Sequence, residues 1–156
     1  MNLSLLLNQF STLFMVGLIW MVQVVHYPLF AKVGGEQYQA YQEGHQTLIT
    51  LIVGPAMLIE LISAIALVKD CPRSVPKWMP IAGLVLLVII WLSTAVLQVP
   101  CHEKLAIGFD ANAHQFLVQS NWIRTLAWTI RGALVSSMLA HCFQSFSKTE
   151  QSLKKS

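Results

Sequence analysis

The chain has 156 residues, 55% of them hydrophobic and only 11% charged. A soluble domain carries about 25% charged residues, so a free globular domain is excluded. The net charge of +3 forms no basic face clear of the apolar stretches, which excludes nucleic acid and leaves membrane lipids as the partners of the basic residues.

Four apolar stretches account for the composition: 3–25, 48–68, 81–99 and 116–143. A helix needs roughly 20 apolar residues to cross the hydrocarbon core, and in lipid every backbone N–H and C=O must be paired within the segment. The stretches are continuously apolar rather than alternating, so a membrane β-barrel is excluded. The predicted fold is all-α: an integral membrane four-helix bundle, up-down-up-down, forming a single transmembrane domain over 1–156. The helices are expected at about 3–27, 36–68, 80–99 and 114–143, with a charged tail at 144–156.

The first stretch has no charged residue before Lys32 and exceeds the length of a signal-peptide apolar region, so it reads as a retained helix. Pro28 is expected to end it, because proline lacks an N–H and disfavours helix before it. Gly34-Gly35 then precedes a helix that runs through His45 and carries Pro55 inside it, which predicts a kink. Pro80 is expected to open the third helix and Pro100 to close it. Cys71, Cys101 and Cys142 form no CxxC pair and suggest neither a disulfide framework nor a thiolate zinc site.

Orientation follows from the cations. Lys69, Arg73 and Lys77 lie between helices 2 and 3, and Lys148, Lys154 and Lys155 follow helix 4. The other side carries only Lys32 and Lys104. Both termini are therefore expected in the cytoplasm, and in a bacterial inner membrane the segments 28–44 and 100–115 face the periplasm.

Four histidines gather at that outer level: His26 ends helix 1, His45 starts helix 2, His102 follows helix 3 and His114 precedes helix 4. Imidazole is the commonest metal ligand, and bundle interiors build metal sites from facing helices. Together with Glu43, Glu103 and Asp110, these four predict a shared site for iron, copper or zinc. Haem ligated by two of them is the alternative cofactor. Interfacial histidines that merely hydrogen-bond locally would look the same in sequence, and no HxxxH or HExxH spacing separates the two readings.

Ionisable groups also stand at membrane depth, where they are costly and face a partner or a cavity. Glu60 lies fifteen residues beyond His45, and Arg131 seventeen beyond His114, or roughly 22 and 25 Å at the helical rise. The similar depth predicts a Glu60–Arg131 ion pair. His114, Asn121, Arg124, Trp128 and Arg131 share one face of helix 4. Thr94, Gln98 and His102 share one face of helix 3, and Trp20, Trp91, Trp122 and Trp128 either line a polar cavity or form an interfacial belt. Arg124 suits an anionic or enolate-like oxygen, with Asn121 beside it as a second catalytic candidate. A structural role for Arg124 on carbonyls freed at Pro55 is the competing reading.

The strings VVHYPLFAKVG, YQEGH and VGPAMLIE, then LQVPCHEKLAIGFD and HQFLVQSNWIRTLAWTIRG, carry a resemblance over roughly 15–140. They resemble a group of small four-helix integral membrane proteins of unassigned function, similar to the anthrone oxygenase-like proteins. The NWIRTxxWTxR block is the most specific part. The resemblance implies oxidation of aromatic or quinone-like compounds with dioxygen. It draws attention to His26, His45, Glu60, His102, His114, Asn121, Arg124 and Arg131.

The leading expectation is a membrane oxidoreductase or oxygenase-like protein with a histidine metal site, acting on a small apolar or aromatic compound. In a metal-free variant, a histidine would act as general base on a readily oxidised substrate such as an anthrone. The alternatives are a non-covalent haem electron carrier, or a transporter or complex subunit using the buried Glu–Arg pair. A homodimer is left open, because no GxxxG motif marks a dimer face.

Overall fold

The computed structural model describes residues 2–154, and every element among them is helical. Four rods follow one another: α1 (Leu3–Phe30), α2 (Gly35–Lys69), α3 (Trp78–Ile107) and α4 (Ala111–Leu153). Asn2 caps α1 by accepting from the Leu5 N–H, and Asp110 caps α4 by accepting from the Ala113 N–H. These are the side chains that best satisfy the free donors of a first turn.

Pro28 and Pro100 do not end their helices. Each sits two residues after a π turn, at Val22–His26 in α1 and at Thr94–Gln98 in α3. There the Tyr27 N–H reaches the Val22 carbonyl, and the Val99 N–H reaches the Thr94 carbonyl, five residues back. A proline normally clashes with the carbonyl four residues before it, here that of Val24 or Val96. The widened turn relieves that contact, and both helices continue for several residues. The device is invisible to a reading that treats proline as a stop.

The other end of the chain also runs on. Helix was expected to stop near residue 143, yet α4 continues to Leu153, with an exposed Glu150–Lys154 pair one turn apart. Lys155 of the expected tail lies outside the described residues.

The helices pack α1 on α2, α1 on α4, α3 on α4 and, least closely, α2 on α3. The start of α1 meets the end of α2 through Asn8 and Ser63, and the end of α1 meets the start of α2 through His26 and His45. Likewise the end of α3 meets the start of α4 through Gln98 and Ser120. Residues such as Phe10, Leu51, Ile62, Val85, Val96 and Ile130 stand exposed on the outside. A soluble monomer does not tolerate so much apolar surface.

The helices α1, α2 and α3 are long and apolar enough to cross a membrane, which marks the chain as an integral membrane protein. Four such helices were expected, and α4 is not among those that reach the hydropathy of a span. Its composition is diluted by its inner face, where Asn121, Arg124, Trp128 and Arg131 are buried, while Phe116, Trp122, Leu126 and Ile130 are exposed on the other.

Candidate functional site

Two polar regions lie inside the helices. In the deeper one, Arg131 Nε donates to Glu60 Oε1 at 2.7 Å. The same oxygen accepts from the Thr12 hydroxyl at 2.7 Å, and Oε2 accepts from Trp128 Nε1 at 3.1 Å. Arg131 Nη1 donates to the Gly83 carbonyl and Nη2 to Asn8 Oδ1. Asn8 Nδ2 in turn donates to the Glu60 carbonyl and to Ser63 Oγ. All four helices contribute. The guanidinium packs tightly on Gly83, where a Cβ would stand 3.1 Å from Arg131 Nη1.

The second region is a cavity of about 410 Å3 between α1, α2 and α3. Its polar lining includes Tyr27, His45, Gln46, Gln98, His102 and Arg124, and its apolar lining includes Met15, Ile19, Val53 and Met57. Arg124 reaches it from α4 with only 7% of its surface exposed. Its Nη1 donates to Asn121 Oδ1 at 3.2 Å, and the guanidinium stands 5.3 Å from the Trp128 ring centre. No carboxylate pairs with it among the described residues, and its Nε has no hydrogen-bond partner. Asn121 is not in the cavity wall. It is held by Gln23, whose Oε1 accepts from Asn121 Nδ2 at 2.9 Å, so its role toward Arg124 is positioning.

Three of the four outer histidines come together. His26 Nε2 and His45 Nδ1 are 2.8 Å apart, and the His45 and His102 ring centres are 5.4 Å apart. His102 is held at both nitrogens, by Gln42 Nε2 on Nδ1 and by the Tyr27 hydroxyl on Nε2, each at 2.9 Å. An amide N–H only donates, so Nδ1 accepts, and Nε2–H donates to the Tyr27 oxygen. The tyrosine proton is thereby free to turn to another acceptor. His114 stands apart: its Nε2 donates to the Tyr27 carbonyl at 2.8 Å, and its ring lies on Phe109. Among the described residues no group of three or more His, Cys, Asp or Glu side chains is arranged to hold a metal ion.

The tryptophans divide. Trp91 lines the cavity with its Nε1 unpartnered, and Trp128 belongs to the deep network. Trp20 and Trp122 pack edge to face on the outer surface.

Asn8, Thr12, Gln42 and Gly83 are functional neighbours that sequence reasoning missed. Asn8 and Thr12 left one signal, a polar pair four residues apart in an apolar stretch, which places both on one face. Gln42 and Gly83 left none. No known family model matches the chain, and no curated protein or solved structure matches it either.

Proposed function

We propose that the chain is a membrane-embedded, oxygenase-like oxidoreductase that acts on a small apolar or aromatic compound carrying an acidic C–H next to a carbonyl. The observation that carries this reading is Arg124: a buried guanidinium without a carboxylate, facing a cavity lined by imidazoles and a tyrosine. A permanently charged donor in such surroundings stabilises an enolate oxygen.

His45 is the base. Its Nδ1 engages His26, and its Nε2 has no hydrogen-bond partner in the cavity wall. When Nδ1–H donates to His26, Nε2 carries the free lone pair. It removes the C–H proton, and the charge develops on the oxygen held by Arg124. The carbanion reduces dioxygen and forms a C–O bond, and the imidazolium returns the proton to the peroxide. Loss of water from the hydroperoxide leaves a ketone, so a CH2 and one O2 become a C=O and one H2O. The resemblance to anthrone oxygenase-like proteins supports this reaction class. Air-saturated nanodiscs supplied with anthrone should consume dioxygen and form anthraquinone. Arg124→Gln should slow this by about 100-fold or more. A rate equal to that of empty nanodiscs overturns the reading.

A transition metal is the second reading, supported by three imidazoles from three helices standing together. His26, His45 and His102 would exchange their present hydrogen bonds for iron, copper or zinc, and haem would announce itself by a Soret band. Elemental analysis of the purified protein tests it.

The same reading makes α4 the fourth span of an up-down-up-down bundle. Its exposed face is apolar, and the helix ends meet in antiparallel fashion. It sets the histidine-rich end toward the periplasm of a bacterial inner membrane and both termini in the cytoplasm, which the charge asymmetry supports. A cysteine-labelling map of 28–44 and 69–79 tests the orientation.

A further inference from the structure

The cavity is long as well as polar at one end. Its lining runs from Met15 to Tyr27 on α1, from His45 to Met57 on α2 and from Trp91 to Glu103 on α3. Each run spans twelve residue-to-residue steps, or about 18 Å at the helical rise. A volume of about 410 Å3 spread over that length is a narrow cleft. The groups that can hold a polar head gather toward one end, around Tyr27, His102 and Arg124, and the far end is lined by Met15 and Met57. A bare ring at the polar end would leave the apolar run unfilled.

One unpartnered atom describes the head. Arg124 Nε is a buried donor without an acceptor. Buried donors are almost always satisfied, so the occupant brings acceptor oxygens. Arg124 is the one Lys or Arg in the lining, and Glu103 stands exposed at the rim. A single buried cation suits a singly charged head and disfavours a dianion. The chain has a way out: α2 and α3 are the least closely packed neighbours, and the exposed lining residues Thr50 and Val99 lie on these two helices.

We propose that this cleft binds a fatty acid, with its carboxylate on Arg124 and its chain between α2 and α3, reached sideways from the bilayer. The proposal rests on the same cavity as the oxidoreductase reading but on none of its chemistry, since a fatty acid can be held without being turned over.

Bromine quenches indole fluorescence on contact, which makes 9,10-dibromostearate the probe. The full chain in phosphatidylcholine nanodiscs is titrated with the acid and with its methyl ester. We expect saturable quenching by the acid, at least 10-fold weaker binding of the ester, and loss of the saturable component in Trp91→Phe. Gly54 lines the cleft, and a Cβ there meets nothing within 4 Å. Gly54→Leu should therefore keep the melting temperature and weaken binding at least 10-fold. Arg124→Gln should do the same to the acid and leave the ester unchanged. Non-saturable quenching, an ester that binds as tightly as the acid, or a Gly54→Leu protein that binds like wild type would each overturn the proposal. Anthrone oxidation that persists while fatty acid binding fails would separate this proposal from the oxidoreductase reading, and the reverse pattern would overturn that reading alone.

Discussion

Arg124 and Arg131 lie two turns apart on one face of α4, in different surroundings. Arg131 has donors engaged by Glu60, Gly83 and Asn8, and its carboxylate partner is itself held by Thr12 and Trp128. Among the described residues Arg124 donates to Asn121, lies against the Tyr27 hydroxyl and the Trp128 ring, and has no carboxylate. The same residue type on the same helix therefore serves two purposes. Where every donor and acceptor has a partner, the cluster locks four helices together. Where a buried cation is left short of partners, at Arg124, lies the site proposed for the ligand. The inventory of hydrogen bonds, more than the presence of charge, separates structure from function in this protein.

The largest effect should come from breaking the locked region. Glu60→Gln leaves the Arg131 guanidinium buried without its counter-charge, and removing one partner of a buried pair costs about 3–5 kcal/mol. Equilibrium unfolding in mixed detergent should show that loss. The double variant Glu60→Gln/Arg131→Met should recover part of it, because both charges are gone. A single variant as stable as wild type would show that the network does not hold the helices.

Arg124 should behave in the opposite way. Arg124→Met removes a desolvated cation that has no counter-charge, so stability should hold or rise, while anthrone oxidation falls by about 100-fold or more. The two variants together sharpen the contrast: one loses the fold, the other loses the site. Equal destabilisation by both would erase the distinction.

How much of this contrast could be read in advance depends on the kind of information each residue carries. Depth is readable from helical rise alone, and Glu60 and Arg131 come out level by that arithmetic. Helical faces are readable too, since Asn121, Arg124, Trp128 and Arg131 share a stripe and all turn inward. Azimuth is not readable. The level of His114 matches that of the other three histidines, but its ring points to the Tyr27 carbonyl, because rotation about α4 is set by the packing of Leu117 and Trp128 in the core. Pro28 and Pro100 misled for another reason. A widened turn upstream accommodates each proline, and no residue type announces a π turn. Gly83 acts through its carbonyl and its lack of a side chain, which a search for polar side chains passes over.

The histidines offer a finer test of the open region. His102→Ala removes the partner of both Tyr27 and Gln42, and His45→Ala removes the partner of His26, whereas His114→Gln keeps a donor for the Tyr27 carbonyl. Oxidation should fall by about 100-fold or more in His45→Ala and by less than that in His114→Gln. If the protein carries a metal, His45→Ala and His102→Ala should both lose it and His114→Gln should retain it. Metal lost equally in all three would bring His114 into the cluster and overturn the division drawn here.

The smallest effect lies at the rim, between the two regions and the solvent. Asp110 caps α4 and meets Lys104 of α3 at 3.1 Å. The Ala113 N–H first, and the Lys104 ammonium second, hold its carboxyl below the ordinary aspartate value of 3.8. A carboxylate whose folded pKa is depressed contributes stability above its unfolded pKa and loses it as the pH falls through the folded one. Asp110→Asn keeps an acceptor for the cap but gives up the charge. The wild type should therefore be slightly more stable than the variant at neutral pH, and the two should converge as the pH drops below 3.8. Because the pair is exposed, added salt should shrink the difference, whereas the penalty of Glu60→Gln, deep among the four helices, should barely respond to salt. A salt response of the same size at both positions would mean that water reaches Glu60, and the locked region would then have to be redrawn as part of the open one.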